Sequence, residues 1–269
     1  MKITERIAKL KELMKERGID YYIIPSADYH QSEYVGDYFK GREWISGFTG
    51  SAGTVVVTQN EVGLWTDGRY FIQAEKQLQG SGITLFKMGE EGVPTFIQYI
   101  VNNIQSGETL GFDGKVLATN TVLDFEAKLK DKKVNFNFEF DLVGEIWRDR
   151  PSLPASQVFV LEEKFTGESV EKKLTRVRNI LEEENCDVNI ITSLDDIAWI
   201  FNIRGNDVKN NPVNLAYAAI TVDKAVLYIG EEKLNSEVEK YLYKNGVEVR
   251  DYFEIYEDME RVSNSNIIM

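Results

Sequence analysis

The chain has 269 residues, 43% hydrophobic and 12% aromatic, with 44 acidic against 31 basic side chains and a formal charge of −13. That balance argues against a nucleic-acid partner, whose phosphates call for clustered Lys and Arg. No apolar run approaches the ~20 residues that span a bilayer. The single Cys186 excludes an internal disulfide and suits a reducing cytoplasm. The opening MKITERIAKL is charged and amphipathic and does not read as a signal peptide. With one histidine, His30, any transition-metal site here would rest on carboxylates and at most one imidazole.

Thr4 is expected to cap a helix that carries Ile7, Leu10, Leu13 and Met14 on one face and ends at Gly18. Residues 21–24 form a buried-strand pattern closed by Pro25. Residues 26–41, SADYHQSEYVGDYFKG, lack periodicity and read as a loop with a short helix. Surface loops over a rigid sheet are where binding groups concentrate. Gly47, Gly50 and Gly53 then lead into two β-rich runs, 54–58 and 62–66, spaced as an antiparallel hairpin. Asp67-Gly68 makes a turn, and Arg69 opens a helix expected to reach Gln79. The hairpin thus delivers Asp67 and Arg69 to one edge. Beyond it the pattern predicts strand 84–88, helix 95–103, strand 109–112 and helix 121–130. Phe136, Phe138 and Phe140 alternate as a half-buried strand.

Residues 142–165 hold Pro151, Pro154 and Arg148-Asp149-Arg150, and read as a semi-rigid linker between domains 1–141 and 166–269. The second half restarts the first: amphipathic helix 169–184, strand 188–192, then Trp199-Ile200 leading to Gly205, as Trp44-Ile45 leads to Gly50. Two β runs follow in each half, here 216–221 and 225–229. Self-similarity in residues and in element order implies two copies of one α/β unit. Helix 236–244, strand 247–251 and helix 252–261 complete the pattern. The apolar Ile267-Ile268-Met269 reads as a cut through a longer chain or as a docked terminal strand.

GFTGSAG has glycines at a spacing of three with no Gly-Lys-Ser/Thr after it, so it lacks the defining features of a phosphate loop. Ser26, Asp28 and His30 crowd one short segment, whereas catalytic triads draw on separate parts of a fold. Asp67 and Arg69 are the first pair to test. Arg69 either pairs with its neighbour across the turn or uses its fork of donors on a substrate carboxylate or carbonyl. Arg204 and Asp207 raise the same question in the second copy. The polar loop 206–214 suits contact with another domain or chain.

Several segments together resemble a known family: IIPSADYHQSEY (23–34), WISGFTGSAGTVVVT (44–58), LWTDGRYFIQA (64–74), IWRDRPSLP (146–154), FTGES (165–169) and TSLDDIAWIFNIRGNDVKNNPVNLAYA (192–218). The chain is similar to roughly the N-terminal two-thirds of cytosolic three-domain aminopeptidase P, the Xaa-Pro aminopeptidase related to creatinase and prolidase. The resemblance implies an α/β fold of two tandem creatinase N-terminal-like domains, each a mixed sheet flanked by helices. It implies that the C-terminal pita-bread domain, with its two manganese ions, is absent from this sequence and that the fragment itself carries no cofactor and no catalytic residue. In such a site a bridging water attacks the peptide carbonyl. By resemblance Arg69 inherits a contact to a peptide with proline second. His30 and Asp67 follow as further substrate-facing residues. The family also implies a cytoplasmic location, contact with its own catalytic domain, a role in shaping the cleft, and homodimers in some members. Two other classes stand beside this reading: a free-standing protein-interaction module of the same fold, and a serine hydrolase using Ser26 or Ser51.

Overall fold

The computed structural model describes residues 1–261 and 266–268. The chain divides into two compact units, one up to Ser152 and one from Leu153 onward.

In the first unit, β1 (Tyr21–Pro25), β2 (Thr54–Thr58), β3 (Val62–Thr66), β4 (Thr84–Lys87), β5 (Thr109–Phe112) and β6 (Asn135–Asn137) form one sheet in the order β4-β3-β2-β1-β5-β6. The expected hairpin is present: β2 and β3 pair antiparallel, Thr54 opposite Trp65 and Val57 opposite Val62. β1 runs antiparallel to β2 and parallel to β5, and β3–β4 and β5–β6 are parallel, so the sheet is mixed. Successive residues of a strand face opposite sides. Here both sides are covered. Tyr22, Ile24, Val55, Val57 and Leu64 pack with Ile7, Leu10 and Met14 of α1 (Ile3–Glu16), with Ile45 of α2 (Gly41–Ser46), and with Ala74 of α3 (Phe71–Gln77). Ile23, Val56, Trp65, Leu110 and Phe112 pack with Ile100 of α4 (Phe96–Asn103) and Phe125 of α5 (Thr119–Leu129). This is why 54–58 reads as a continuous apolar run rather than an alternating one.

The stretch after residue 141 joins this core. Leu142 and Val143 of α6 (Leu142–Ile146) and the following Trp147 are buried in the first cluster. Tyr22 Oη donates to Phe140 O (2.6 Å) and accepts from Leu142 N (3.0 Å), and burial raises this phenol well above its ordinary pKa. Arg150 donates to Tyr38 O (2.8 Å) and pairs with Asp141, its guanidinium 3.7 Å from the Tyr38 ring centroid.

The second unit begins with β7 (Phe159–Val160) and α7 (Glu163–Thr166). It continues through α8 (Val170–Glu183), β8 (Val188–Ile191), α9 (Leu194–Ile200), β9 (Ile203–Arg204), β10 (Tyr217–Thr221), β11 (Ala225–Tyr228), α10 (Ser236–Lys244), β12 (Val247–Arg250), α11 (Glu254–Arg261) and β13 (Ile267–Ile268). Its main sheet runs β12-β11-β10-β8-β13, and β7 pairs separately with β9. β8–β10 and β10–β11 are antiparallel, β11–β12 and β8–β13 parallel. Replacing β1, β2, β3, β4 and β5 by β8, β10, β11, β12 and β13 reproduces the order and every direction of those five strands, and β6 has no counterpart among the described residues. The duplication inferred from Trp-Ile…Gly is therefore a duplication of topology.

Some boundaries differ from the sequence expectations. The first helix starts at Ile3, before Thr4, because the Glu5 carboxylate accepts from Lys2 N (3.1 Å) and so supplies the cap. The helix expected from Arg69 to Gln79 contracts to α3. The Phe136–Phe140 strand shortens to three residues, and Phe138 is 60% exposed. Ile267 and Ile268 dock as a strand on β8, and Met269 lies outside the described residues. Among the described residues no helix is long and apolar enough to cross a membrane.

Candidate functional site

The site builds from the loop that precedes the hairpin. α2 stops at Gly47, whose φ of 72° places it in the left-handed region that a glycine C-cap supplies. The chain then runs through Phe48, Thr49 and Gly50 to Gly53 and enters β2. Arg42, only 5% exposed, lies beneath this loop. Its Nε donates to Ser26 Oγ (2.9 Å), its Nη1 to Phe48 O and its Nη2 to Gly50 O. Ser26 Oγ in turn donates to Gly53 O (2.8 Å). Burial pulls the guanidinium down to a pKa of about 10, which still leaves it charged at neutral pH.

The loop grips the start of α3. A Cβ on Gly50 would lie 2.3 Å from Phe48 Cζ and 2.8 Å from Tyr70 Cδ1, so only glycine lets the two rings close over it. Phe48 and Tyr70 meet edge to face at 5.9 Å. Ser51 Oγ and Tyr70 Oη are 2.7 Å apart. Thr49 Oγ1 accepts from Gln73 Nε2 (2.9 Å) and Gln77 Nε2 (2.8 Å), and Thr49 N donates to Gln77 Oε1 (2.9 Å).

Arg69 sits at this rim, its side chain 68% exposed, with its guanidinium 5.1 Å from the Tyr70 ring centroid. Asp67 Oδ1 accepts from Arg69 N (3.0 Å) and Nε (2.9 Å), and Oδ2 from Nη2 (2.9 Å). The hydrogen bond to Asp67 holds Arg69 above its ordinary pKa, and the same bond holds the Asp67 carboxyl below its own. The turn-local pair is thus formed, and it orients the fork without burying it. Glu33, in the 28–34 loop, adds a smaller charge effect on Arg69. His30 lies in that loop and is 8% exposed. Its backbone N–H and that of Ser32 both donate to Asp28 Oδ1 (2.9 Å each). Asp28 is fully buried, and its Oδ2 has no hydrogen-bond partner.

The remaining candidates resolve into structural roles. Ser26 is committed to Arg42 and Gly53, and Ser51 to Tyr70, so neither hydroxyl has a histidine as its bonded partner. The glycine loop turns the carbonyls of residues 48 and 50 onto a cation, whereas phosphate binding needs amide donors. Arg204 and Asp207 do not repeat the Asp67–Arg69 pair. Arg204 Nη1 donates to Ala198 O (2.6 Å) and Ile203 O (2.8 Å), closing the end of α9. Asp207 is buried with Lys233 (2.6 Å). Among the described residues no group of three or more His, Cys, Asp or Glu side chains is placed to hold a metal. Sequence reasoning missed three buried cations, Arg42, Lys173 and Lys233. The available signal is a basic residue at helical spacing from buried apolar ones, Arg42 three before Ile45 and Lys173 three after Val170, which at Arg42 is masked by the flanking polar loop.

The comparisons with known proteins bear on the fold. Residues 6–139 and residues 149–269 each match a family model described as the creatinase/prolidase N-terminal domain. The chain belongs to that family, twice over. Relatives of these paired creatinase/prolidase N-terminal domains include "Probable Xaa-Pro aminopeptidase P" from Neurospora crassa, 40% identical over 97% of this chain and 39% of its own length. The protein of the same name from Botryotinia fuckeliana is 42% identical over 97% of this chain and 40% of its own length. A crystal structure of X-prolyl aminopeptidase from Caenorhabditis elegans, described as a cytosolic enzyme with a di-nuclear active site, superposes with a TM-score of 0.92. It is 33% identical and covers 98% of this chain and 45% of that one. The chain therefore matches the N-terminal portion of Xaa-Pro aminopeptidases and spans about two-fifths of the length of the curated relatives.

Proposed function

We propose that these two domains are the non-catalytic N-terminal region of a Xaa-Pro aminopeptidase, a cytoplasmic hydrolase that removes the residue preceding a proline. The metal chemistry, expected to use two manganese ions, then belongs to sequence outside this chain. What supports the reading is the superposition of nearly the whole chain on less than half of an X-prolyl aminopeptidase. On this reading the region shapes the substrate cleft, abuts its own catalytic domain and supports assembly, including homodimers.

Within it we assign peptide contact to Arg69. The guanidinium is exposed, held in a fixed direction by Asp67, and suited by its fork to a carbonyl or carboxylate. Asp67 orients it, and the 28–34 loop with His30 borders the same edge. The test has two parts. The purified chain, with and without added manganese, is expected not to hydrolyse a proline-second peptide; measurable turnover would overturn the non-catalytic assignment. In a full-length enzyme that carries this chain as its N-terminal region, Arg69→Ala is expected to raise KM for a short proline-second peptide. An unchanged KM and kcat would remove the contact.

A further inference from the structure

Arg42 is a buried cation whose hydrogen bonds go to two backbone carbonyls and a serine hydroxyl, none of them to a carboxylate. Burying a charge is costly unless its donors are matched, and a guanidinium presents a planar fork that a lysine cannot reproduce. The acceptors are all parts of one device. Phe48 O and Gly50 O bracket Thr49, and Ser26 relays to Gly53 O at the far end of the loop. The Arg42 guanidinium also lies 4.9 Å from the Phe48 ring centroid. One side chain thus fixes both ends of the glycine loop.

That loop is in turn what holds Arg69's neighbourhood. Phe48 and Gly50 pack on the Tyr70 ring, Ser51 bonds the Tyr70 hydroxyl, and Thr49 bonds two glutamines of α3. Tyr70 directly follows Arg69 and lies against its guanidinium. We propose that Arg42 is a positioning residue that sets the rim arginine, acting through the glycine loop and Tyr70, and not through any contact of its own with substrate. The proposal rests on the reading of Arg69 as the peptide-facing group.

The test uses the chain as it is. Arg42→Lys keeps the charge but cannot span three acceptors, and Ser26→Ala removes only the relay to Gly53. Amide hydrogen exchange is compared at residues 48–53 and 74–78 and at the β1 and β5 core. Arg42→Lys is expected to accelerate exchange at the loop and at 74–78, where the α3 hydrogen bonds begin, by roughly ten- to hundredfold, the equivalent of one or two charge-assisted bonds, with the core unchanged. Ser26→Ala is expected to give a smaller acceleration at the same amides. Loop and rim protection equal to the parent in Arg42→Lys, or acceleration spread evenly over loop and core, overturns the proposal. Because this readout needs no peptide, it fails or succeeds separately from the substrate assignment. That assignment fails instead if the arginine-to-alanine enzyme keeps its KM while the loop readout behaves as expected.

Discussion

Removing the Asp207 carboxylate is expected to be the most damaging single polar change in the second unit. Asp207 accepts from Ser156 N (3.1 Å), Ser156 Oγ (2.5 Å), Leu215 N (2.8 Å) and Lys233 Nζ (2.6 Å), four donors on one side chain. Its side chain is fully buried and that of Lys233 is 5% exposed. Asp207→Ala strands a buried ammonium and three neutral donors. Breaking such a pair from one side costs about 3–5 kcal/mol. A domain's whole stability is about 5–15 kcal/mol, so the variant should melt roughly 10–25 °C lower or lose the unit altogether. Lys233→Met removes the other partner but leaves the carboxylate with three of its four donors, and should cost only about 1–3 kcal/mol. The assay is urea denaturation of both variants, followed by hydrogen exchange in peptides from the second unit so that the first does not mask the transition. If Lys233→Met costs as much as Asp207→Ala, the pair is held by the cation rather than by the anion's donor set, and the reasoning is wrong.

The first unit carries a pH signature. Burial raises the Asp113 carboxyl above its ordinary 3.8, only partly offset by the bond from Lys115 N (2.9 Å). A carboxyl with a raised folded pKa binds its proton more tightly folded than unfolded, so its contribution falls as pH rises from about 4 through the raised value. Asp113→Asn should flatten that part of the stability–pH curve of the first unit, and an unchanged slope would refute the assignment. Gly50→Ala should destabilise the same unit by about 1–3 kcal/mol through overpacking against Phe48 and Tyr70, and a neutral melting temperature would count against the close approach. Tyr22→Phe should cost about 1–2 kcal/mol by leaving Leu142 N without its buried acceptor, measured by urea denaturation. Arg69→Ala, at an exposed position, should leave the melting curve of this chain where it is, so any melting shift would mean that the arginine has a structural job.

The α/β architecture, the hairpin and the duplication were legible because each rests on periodicity and turn chemistry. Thr54 to Thr58 is β-branched throughout, and Trp-Ile…Gly recurs ahead of each hairpin. What stayed hidden depends on three-dimensional pairing. Nothing in the sequence distinguishes Arg42, which is buried under a loop, from Lys40 two residues earlier, which is on the surface. Asp67–Arg69 and Arg204…Asp207 look alike as strings. They diverge because Asp207 meets Lys233 and Ser156, residues remote in sequence. The Phe136–Phe140 alternation predicted a longer strand than forms. Phe140 instead packs against the α1 side of the sheet, and the Tyr22 hydroxyl takes its carbonyl.

The pairing of β13 with β8 has a kinetic consequence. β8 is among the first strands of its unit to leave the ribosome, yet one of its two flanking partners is the last described segment of the chain. Until Ile267 and Ile268 emerge, β8 presents an open row of amides and carbonyls, the kind of edge along which nascent chains join one another. The first half completes the same arrangement well inside its own length, at β5, so the order of synthesis favours an early first lobe and a second that waits for β13.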